Sequence, residues 1–522
     1  MFDTILRGGT IVDGLGGAPY IADIGIKDGK IAAIEPQLST AAEVIDVSGQ
    51  TVTPGFIDIH RHGDAEVFRK GFGELELKQG LTSIVNGVCG LSLAPFGQAH
   101  RQELLKYLQP VTGVLDPSIP TESMRAYLSA LKSLPLNVGM MVGGGTIRTD
   151  VCGYRAQDPD DFAEIHKRLD KALSEGALGV SLGLGYAPEC FYATNSLISA
   201  LEPLKNSQVP IAVHMREEGD MVCEAVQEMI TVAKALNCPM HISHLKAMGK
   251  RNWRKRIPQA LSLMEQARAE GVDIDCDVYL YEAGSTQLLH LLPPDFLEGG
   301  VDVISERLKD RTQRAILRDR IKNAHDFDNI AQMIGWENII ISSLQLPQYQ
   351  NLIGKTMSEI ADLLRCDPVD ALCQILSDER CAVTMIDRIN CEDDIQMILK
   401  DQHSSVISDA TYPSVGLPHP RVYATYVRLI EKYVISERVL PLQEAIRKVT
   451  SLPAQSMRIK NKGALLVGMD ADINVFSPEA LHAPSDFSNP RQMCEGMQYV
   501  FVNGRPAIFC GELTQSKNGA VL

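Results

Sequence analysis

The chain has 522 residues, 45% of them hydrophobic, enough for a buried core and near the upper limit for one large domain with a small companion. A formal net charge of -15 argues against nucleic acid or anionic membrane as partners, and no apolar run approaches the roughly 18 residues that span a bilayer. Twelve cysteines with no Cys-X-X-Cys pair, and an N-terminus MFDTILRGG without a basic-then-apolar segment, predict a reduced, cytoplasmic compartment.

Residues 1–53 read as short strands separated by Gly and Asp turns, in DTILRGGTIVDG, ADIGIKDGKIAAIEP and AEVIDVSGQTVTPG. From Thr51 onward, apolar strand runs alternate with helical stretches: VTPGFIDIH, LTSIVNGVC, LNVGMMVGG, GALGVSLGLGY, VPIAVHM, PMHISHL, GVDIDCDVYLY and SSVISDA. Eight such strands predict an α/β fold, a (β/α)8 TIM-type barrel over residues 54–453. An open doubly wound sheet would show the same alternation, but ligand-type residues end five different strands, and a barrel brings those ends to one mouth. About 120 residues separate Tyr281 from the last strand, more than one barrel helix needs. They include the charged helical segment ISERLKDRTQRAILRDRIKNA, so a lid insertion over about 285–345 is expected. Strand-turn patterning returns in KGALLVGMDADINVF and GMQYVFVNGRPAIFCGE, and residues 1–53 and 454–522 together predict a small β-sandwich domain.

The segment PGFIDIHRHGD places His60 and His62 on one face of a strand end and Arg61 on the other. Cys89 in IVNGVCG, His214 in PIAVHMREE, His244 in PMHISHLK and Asp409 in SSVISDA also end apolar runs. Taken singly, each has an ordinary reading: a buried imidazole is usually just hydrogen-bonded, a free cysteine packs as a small hydrophobe, and aspartate caps helices and turns. Together they offer imidazole, thiolate and carboxylate, the donor set zinc accepts, and predict a metal-dependent hydrolase. His241 faces away from this set and reads as a residue supporting the ligands from behind.

The sequence resembles the amidohydrolase superfamily and, within it, the N-acyl-D-amino-acid deacylases (D-aminoacylases). The resemblance rests on VTPGFIDIHRHGD, NGVCGLSLAP, GLGYAP, HMREEG, SHLKAMG and LPHPRVYATYVR, with KVTSLPA and the strand-turn segments of the tail. It implies one tight zinc held by Cys89, His214 and His244, and a second, weaker or partly occupied position at His60, His62 and Asp409 with the cysteine able to bridge. It also implies that Asp409 moves the catalytic proton and that Lys246, Tyr281 and Arg421 bind the α-carboxylate of a small-molecule substrate, with Tyr186 and Ser285 as further pocket residues. Whether copies associate as a homo-oligomer is left open. The chain departs from the family pattern at Gly144, where a histidine is usual in the Val-Gly-His-Gly turn, at Leu280 in place of a proline, and at Leu182 in place of a threonine.

A cyclic-ureide hydrolase of the hydantoinase and dihydroorotase type would need a bridging lysine at the end of the fourth strand, and GALGVSLGLGYAPE has none. A non-catalytic barrel scaffold would have lost ligands, and none is missing. The segment YEAGSTQLLHLLPPDFLE contains no Lys or Arg and only His290, while Leu288, Leu289, Leu291 and Leu292 make it apolar, so neutral, hydrophobic D-side chains are expected. The arginine-rich lid could still bring in a charge that linear order hides.

Overall fold

The computed structural model describes residues 1–413 and 415–522. Strand Phe2–Ile11 pairs antiparallel with Tyr20–Lys27, which pairs with Lys30–Glu35, while Ala41–Asp46 and Thr51–Pro54 run parallel to the first strand. Thr51–Pro54 then pairs antiparallel with Ile473–Phe476, and Met497–Val502, Arg505–Phe509 and Glu512–Leu513 extend the sheet. Nine strands from both chain ends therefore form one connected sheet. Its tight turns Asp28-Gly29 and Asn503-Gly504 have positive φ at both positions (50° and 78°, 46° and 78°), the geometry that matches the twist of the flanking strands. The two tips touch: a Cβ on Gly504 would stand 2.7 Å from the Gly29 Cα, so that side of the contact must be glycine.

The following strands are short, buried and parallel. Phe56–Asp58, Leu81–Asn86 and Asn137–Met140 form one sheet. Val142–Gly143, Val180–Gly183, Ile211–His214, Met240–Ile242, Ile274–Val278 and Ser404–Val406 form the other, in chain order. Only Met141 separates the sheets at one junction. At the other, the Asp409 N–H donates to the His60 carbonyl (3.0 Å) and the His62 N–H to the Ala410 carbonyl (2.9 Å). Helices such as Val222–Leu236 fill the crossovers; Val222, Val226, Met229, Ala233 and Leu236 recur at helical spacing and are buried against the strands.

Between Ile274–Val278 and Ser404–Val406 the chain makes an excursion. Residues 304–324, expected to be helical, fall in helices Gly300–Arg307 and Arg311–Asn323. The excursion also contains an antiparallel sheet of Gly284–Gln287, Thr384–Asp387 and Ile339–Ser343 that the sequence pattern did not announce. Among the described residues, no helix is long and apolar enough to cross a membrane.

Arg61 joins the first and last parallel strands. Its guanidinium is fully buried and donates to Asp58 (3.1 Å), Glu76 (2.8 Å), the Ser408 hydroxyl (3.3 Å) and the Tyr412 oxygen. Removing one partner of a buried ionic cluster leaves uncompensated charges in the interior, at a cost of about 3–5 kcal/mol. Arg61→Ala is therefore expected to lower the urea midpoint by an amount corresponding to that cost, and Arg61→Lys to restore little, because an ammonium cannot reach acceptors on several sides. A wild-type midpoint for the alanine variant would show that the cluster is dispensable.

Candidate metal centre and substrate cavity

The expected ligand residues converge at the carboxyl ends of the parallel strands. The Cys89 Sγ lies 3.2 Å from His60 Nε2 and 3.4 Å from His244 Nε2, and His214 Nδ1 lies 3.1 Å from His244 Nε2. Asp409 Oδ1 stands 3.3 Å from His62 Nε2 and 3.6 Å from His60 Nε2. Three overlapping donor groups result: His60, Cys89 and His244; His60, His62 and Asp409; and His214, Glu218 and His244. In a tetrahedral zinc site with bonds of about 2.0–2.3 Å, neighbouring ligand atoms stand roughly 3.3–3.8 Å apart, so this donor set fits zinc in both spacing and chemistry. Cys89, His244 and Asp409 all have left-handed backbone (φ 54°, 39° and 49°). That conformation costs non-glycine residues on the order of 1 kcal/mol each, and here it turns each side chain from its strand end into the mouth.

The electrostatics favour ligation. Burial drives the pKa of His60, His214 and His244 well below that of free imidazole, so the rings are neutral, as metal ligands must be. Burial, then the charges of Asp409 and Glu218, push the Cys89 thiol well up. For Asp409 burial works against ionisation, but Arg421, with Nη1 3.0 Å from Oδ2, and the His62 hydrogen bond hold the carboxyl well below the usual carboxylate range. Glu218 Oε1 lies 2.9 Å from His244 Nδ1, which leaves Nε2 of that ring free for a metal, and Glu218 Oε2 is paired with Lys246 Nζ at 2.6 Å. Behind them, the two nitrogens of His241 meet Asp275 and Asp277; burial opposes its charge, yet those carboxylates raise it to about 10. Asp277 also accepts the backbone N–H of His244.

A model of the amidohydrolase family matches residues 43–508. The chain belongs to that family. It is 31% identical to a D-aminoacylase of Alcaligenes xylosoxydans xylosoxydans over 510 residues, 97% of this chain and 94% of that enzyme. It is 30% identical to an N-acyl-D-glutamate deacylase of the same organism, over 96% of this chain and 93% of that one. The structure also resembles the crystal structure of N-acyl-D-glutamate deacylase from Bordetella bronchiseptica complexed with zinc and a phosphonate mimic of the tetrahedral intermediate. That match has a TM-score of 0.83 at 28% identity and covers 100% of this chain and 99% of the other.

In this amidohydrolase the expected ligand residues converge on a cavity of ≈ 40 Å³. Lys246, Arg421, Tyr186 and Ser285 all line it, as do His62, Cys89, His214, His244 and Asp409. His60 does not line it and sits behind them, fully buried. Tyr281 is placed elsewhere. It lines a neighbouring cavity, with the Arg428 guanidinium 4.7 Å from its ring centre and His419 packed edge-on. The strand ends at Val278, so alternation along it carries no further than Tyr279. Tyr279 is the tyrosine that lines the cavity, with the Arg421 guanidinium 4.8 Å and the Lys246 ammonium 5.8 Å from its ring centre. A larger cavity, ≈ 590 Å³, opens around Asp273, Asp275 and Arg458, and none of the three donor groups lies there.

Sequence reasoning singled out neither Glu218 nor Asp387. Glu218 carried a signal, standing four residues after His214 in HMREEG, whereas Asp387 reaches the cavity on the unannounced antiparallel sheet. Gly144 also has a structural cause: a Cβ there would stand 2.4 Å from Glu189 Oε1. The Glu189 carboxylate, accepting the Gly183 N–H at 2.7 Å, fills the space that a histidine side chain at position 144 would need.

Because the Cys89 thiol is protonated in the metal-free protein, zinc uptake near pH 7 is expected to release about one proton per ion from it. Calorimetry in buffers of different ionisation enthalpy measures this. Cys89→Ala should take up zinc more weakly and release less, and wild-type uptake without proton release would remove the thiol from the ligand set.

Proposed function

We propose that this protein is a zinc-dependent deacylase that cleaves the amide bond of N-acyl-D-amino acids with neutral side chains, giving a carboxylate and the free D-amino acid. The observation that carries this reading is the convergence of Cys89, His62, His214, His244 and Asp409, with His60 directly behind them, beside two buried cations, Lys246 and Arg421, in one cavity. The D-aminoacylase and deacylase relatives support the same reading. Counting Asn137–Met140 and Val142–Gly143, divided only by Met141, as one strand, we read the two parallel sheets as one eight-stranded barrel spanning 54–453, with the nine-stranded sheet forming a small domain from residues 1–53 and 454–522. The excursion over about 285–345 belongs to its lid. The tight zinc is assigned to Cys89, His214 and His244, and a second, weaker position to His60, His62 and Asp409. A cytoplasmic location agrees with twelve free cysteines.

Zinc bound there would supply a Lewis acid that polarises the acyl oxygen and lowers the pKa of water. The rest falls to the chain's own groups. Arg421 and Lys246 attract the substrate α-carboxylate, with the Tyr279 hydroxyl beside them in place of Tyr281, and so fix the amide within reach of Asp409. Each cation starts with an internal partner, Arg421 with Asp409 and Lys246 with Glu218. When the α-carboxylate draws Arg421 away, the main group holding Asp409 ionised is lost, and its affinity for a proton rises as the water must be deprotonated. Asp409 then passes that proton to the departing amine nitrogen. Strand Val180–Gly183 brings no lysine to the mouth, which disfavours the cyclic-ureide alternative.

The side-chain preference rests on different residues from those the sequence suggested. Leu288, Leu289 and Leu291 are buried in the core and, like Leu292, do not line the cavity; Leu91, Val111, Met248, Ile330 and Ile389 supply its apolar wall. Of residues 295–335 only Ile330 lines the cavity, so the arginines of the lid do not reach it.

Asp409→Asn should keep its tight zinc and lose about two to four orders of magnitude in kcat, read by steady-state kinetics with metal analysis. Near-normal turnover would remove Asp409 from proton transfer. Lys246→Met should weaken N-acyl-D-amino acids far more than their uncharged α-amides; equal losses on both would contradict carboxylate recognition.

A further inference from the structure

Asp387 has no part in the chemistry described so far, yet it lines the substrate cavity at 2% exposure. Among the described residues, its Oδ1 has no hydrogen-bond partner. The Tyr279 hydroxyl is equally buried and equally without a partner. Both surround the same point: a Cβ on Gly284, the residue paired with Asp387 across the sheet, would stand 2.8 Å from Asp387 Oδ1 and 3.4 Å from the Tyr279 oxygen. A side chain at 284 would fill this notch, and glycine leaves it open. Burial pushes the Asp387 carboxyl up to about 6 against the attraction of Lys246 and Arg421, each of which is already paired, with Glu218 and Asp409. The surrounding wall is apolar, including Ile389, Met248 and Ile330. A buried acceptor with no donor carries the full cost of its desolvation until a ligand brings one.

We infer that Asp387 is a specificity-determining residue that selects N-acyl-D-amino acids whose side chains end in N–H donors and rejects those ending in a carboxylate. The inference rests on the deacylase reading and narrows it. An N–H from the side chain donates to Asp387 Oδ1, while an anionic side chain meets like charge in a desolvated site. An apolar side chain of the same length is admitted by the wall but leaves the acceptor unmet.

The test compares kcat/KM of the zinc-loaded enzyme for N-acetyl-D-Gln, N-acetyl-D-Met and N-acetyl-D-Glu, which have nearly the same length and shape. Wild type should favour the glutamine derivative over both others by about tenfold or more, as expected for hydrogen bonds to a charged acceptor. Asp387→Asn should raise the Glu:Gln ratio by at least about tenfold, and Asp387→Leu should reverse the Gln:Met ratio. Variants that lower all three rates in proportion would reduce Asp387 to a structural role and overturn the inference, as would a wild-type preference for the glutamate derivative. If wild type cleaves none of the three, the deacylase reading falls. Calorimetric binding of the same compounds to wild type and Asp387→Leu then decides the Asp387 assignment, an unchanged Gln:Met affinity ratio counting against it.

Discussion

Arg61 is a cation with no route to water, and the arrangement of the mouth depends on it. Its four partners lie on the first parallel strand, the following helix and the segment after the last strand. It therefore ties the beginning and the end of the parallel array together at the level of His60, His62 and Asp409. His60 and His62 flank it in sequence and face the opposite way, and the His60 carbonyl receives the Asp409 N–H. Two imidazoles from one end of the array and a carboxylate from the other are thus held in register by one buried charge on the far side of the strand. The cluster is stable only when complete, because Asp58 and Glu76 would otherwise be buried carboxylates without a counter-charge.

The cavity uses the same principle with a different outcome. Its charges are also paired, Lys246 with Glu218 and Arg421 with Asp409, but these pairs border the space where a substrate would lie. A pair enclosed on all sides fixes geometry. A pair at a cavity wall can exchange partners, and under the proposed function its internal carboxylate would stand in for the substrate anion. Glu218 contacts both His244 and Lys246, so any movement of the lysine would be felt at the His244 imidazole.

Much of this was legible in the sequence because strand ends are marked by local signals. Apolar runs closing on His60, Cys89, His214, His244 and Asp409 gave both the elements and the candidate donor set, and Gly and Asp marked the turns of the N-terminal strands. Alternation also placed Arg61 opposite the histidines. Legibility failed where the regular element ended. Tyr279 and Tyr281 share a strand parity, but the strand stops at Val278 and the turn carries Tyr281 to the neighbouring cavity. The leucines after it form an apolar run whose destination, core rather than cavity, no periodicity could reveal. Asp387 stood far outside any ligand motif, because its place depends on antiparallel pairing with Gly284, about 100 residues earlier.

The outer sheet has a consequence for how the chain is made. Thr51–Pro54 finds its antiparallel neighbour only in Ile473–Phe476, roughly 420 residues later. At a synthesis rate of about 5–20 residues per second, that interval lasts roughly 20–80 s. Throughout it, the edge of the N-terminal strands presents unpaired N–H and C=O groups of the kind that recruit other chains. The nascent protein therefore passes through a long stage in which one small sheet must wait, open-edged, for the last tenth of the polypeptide.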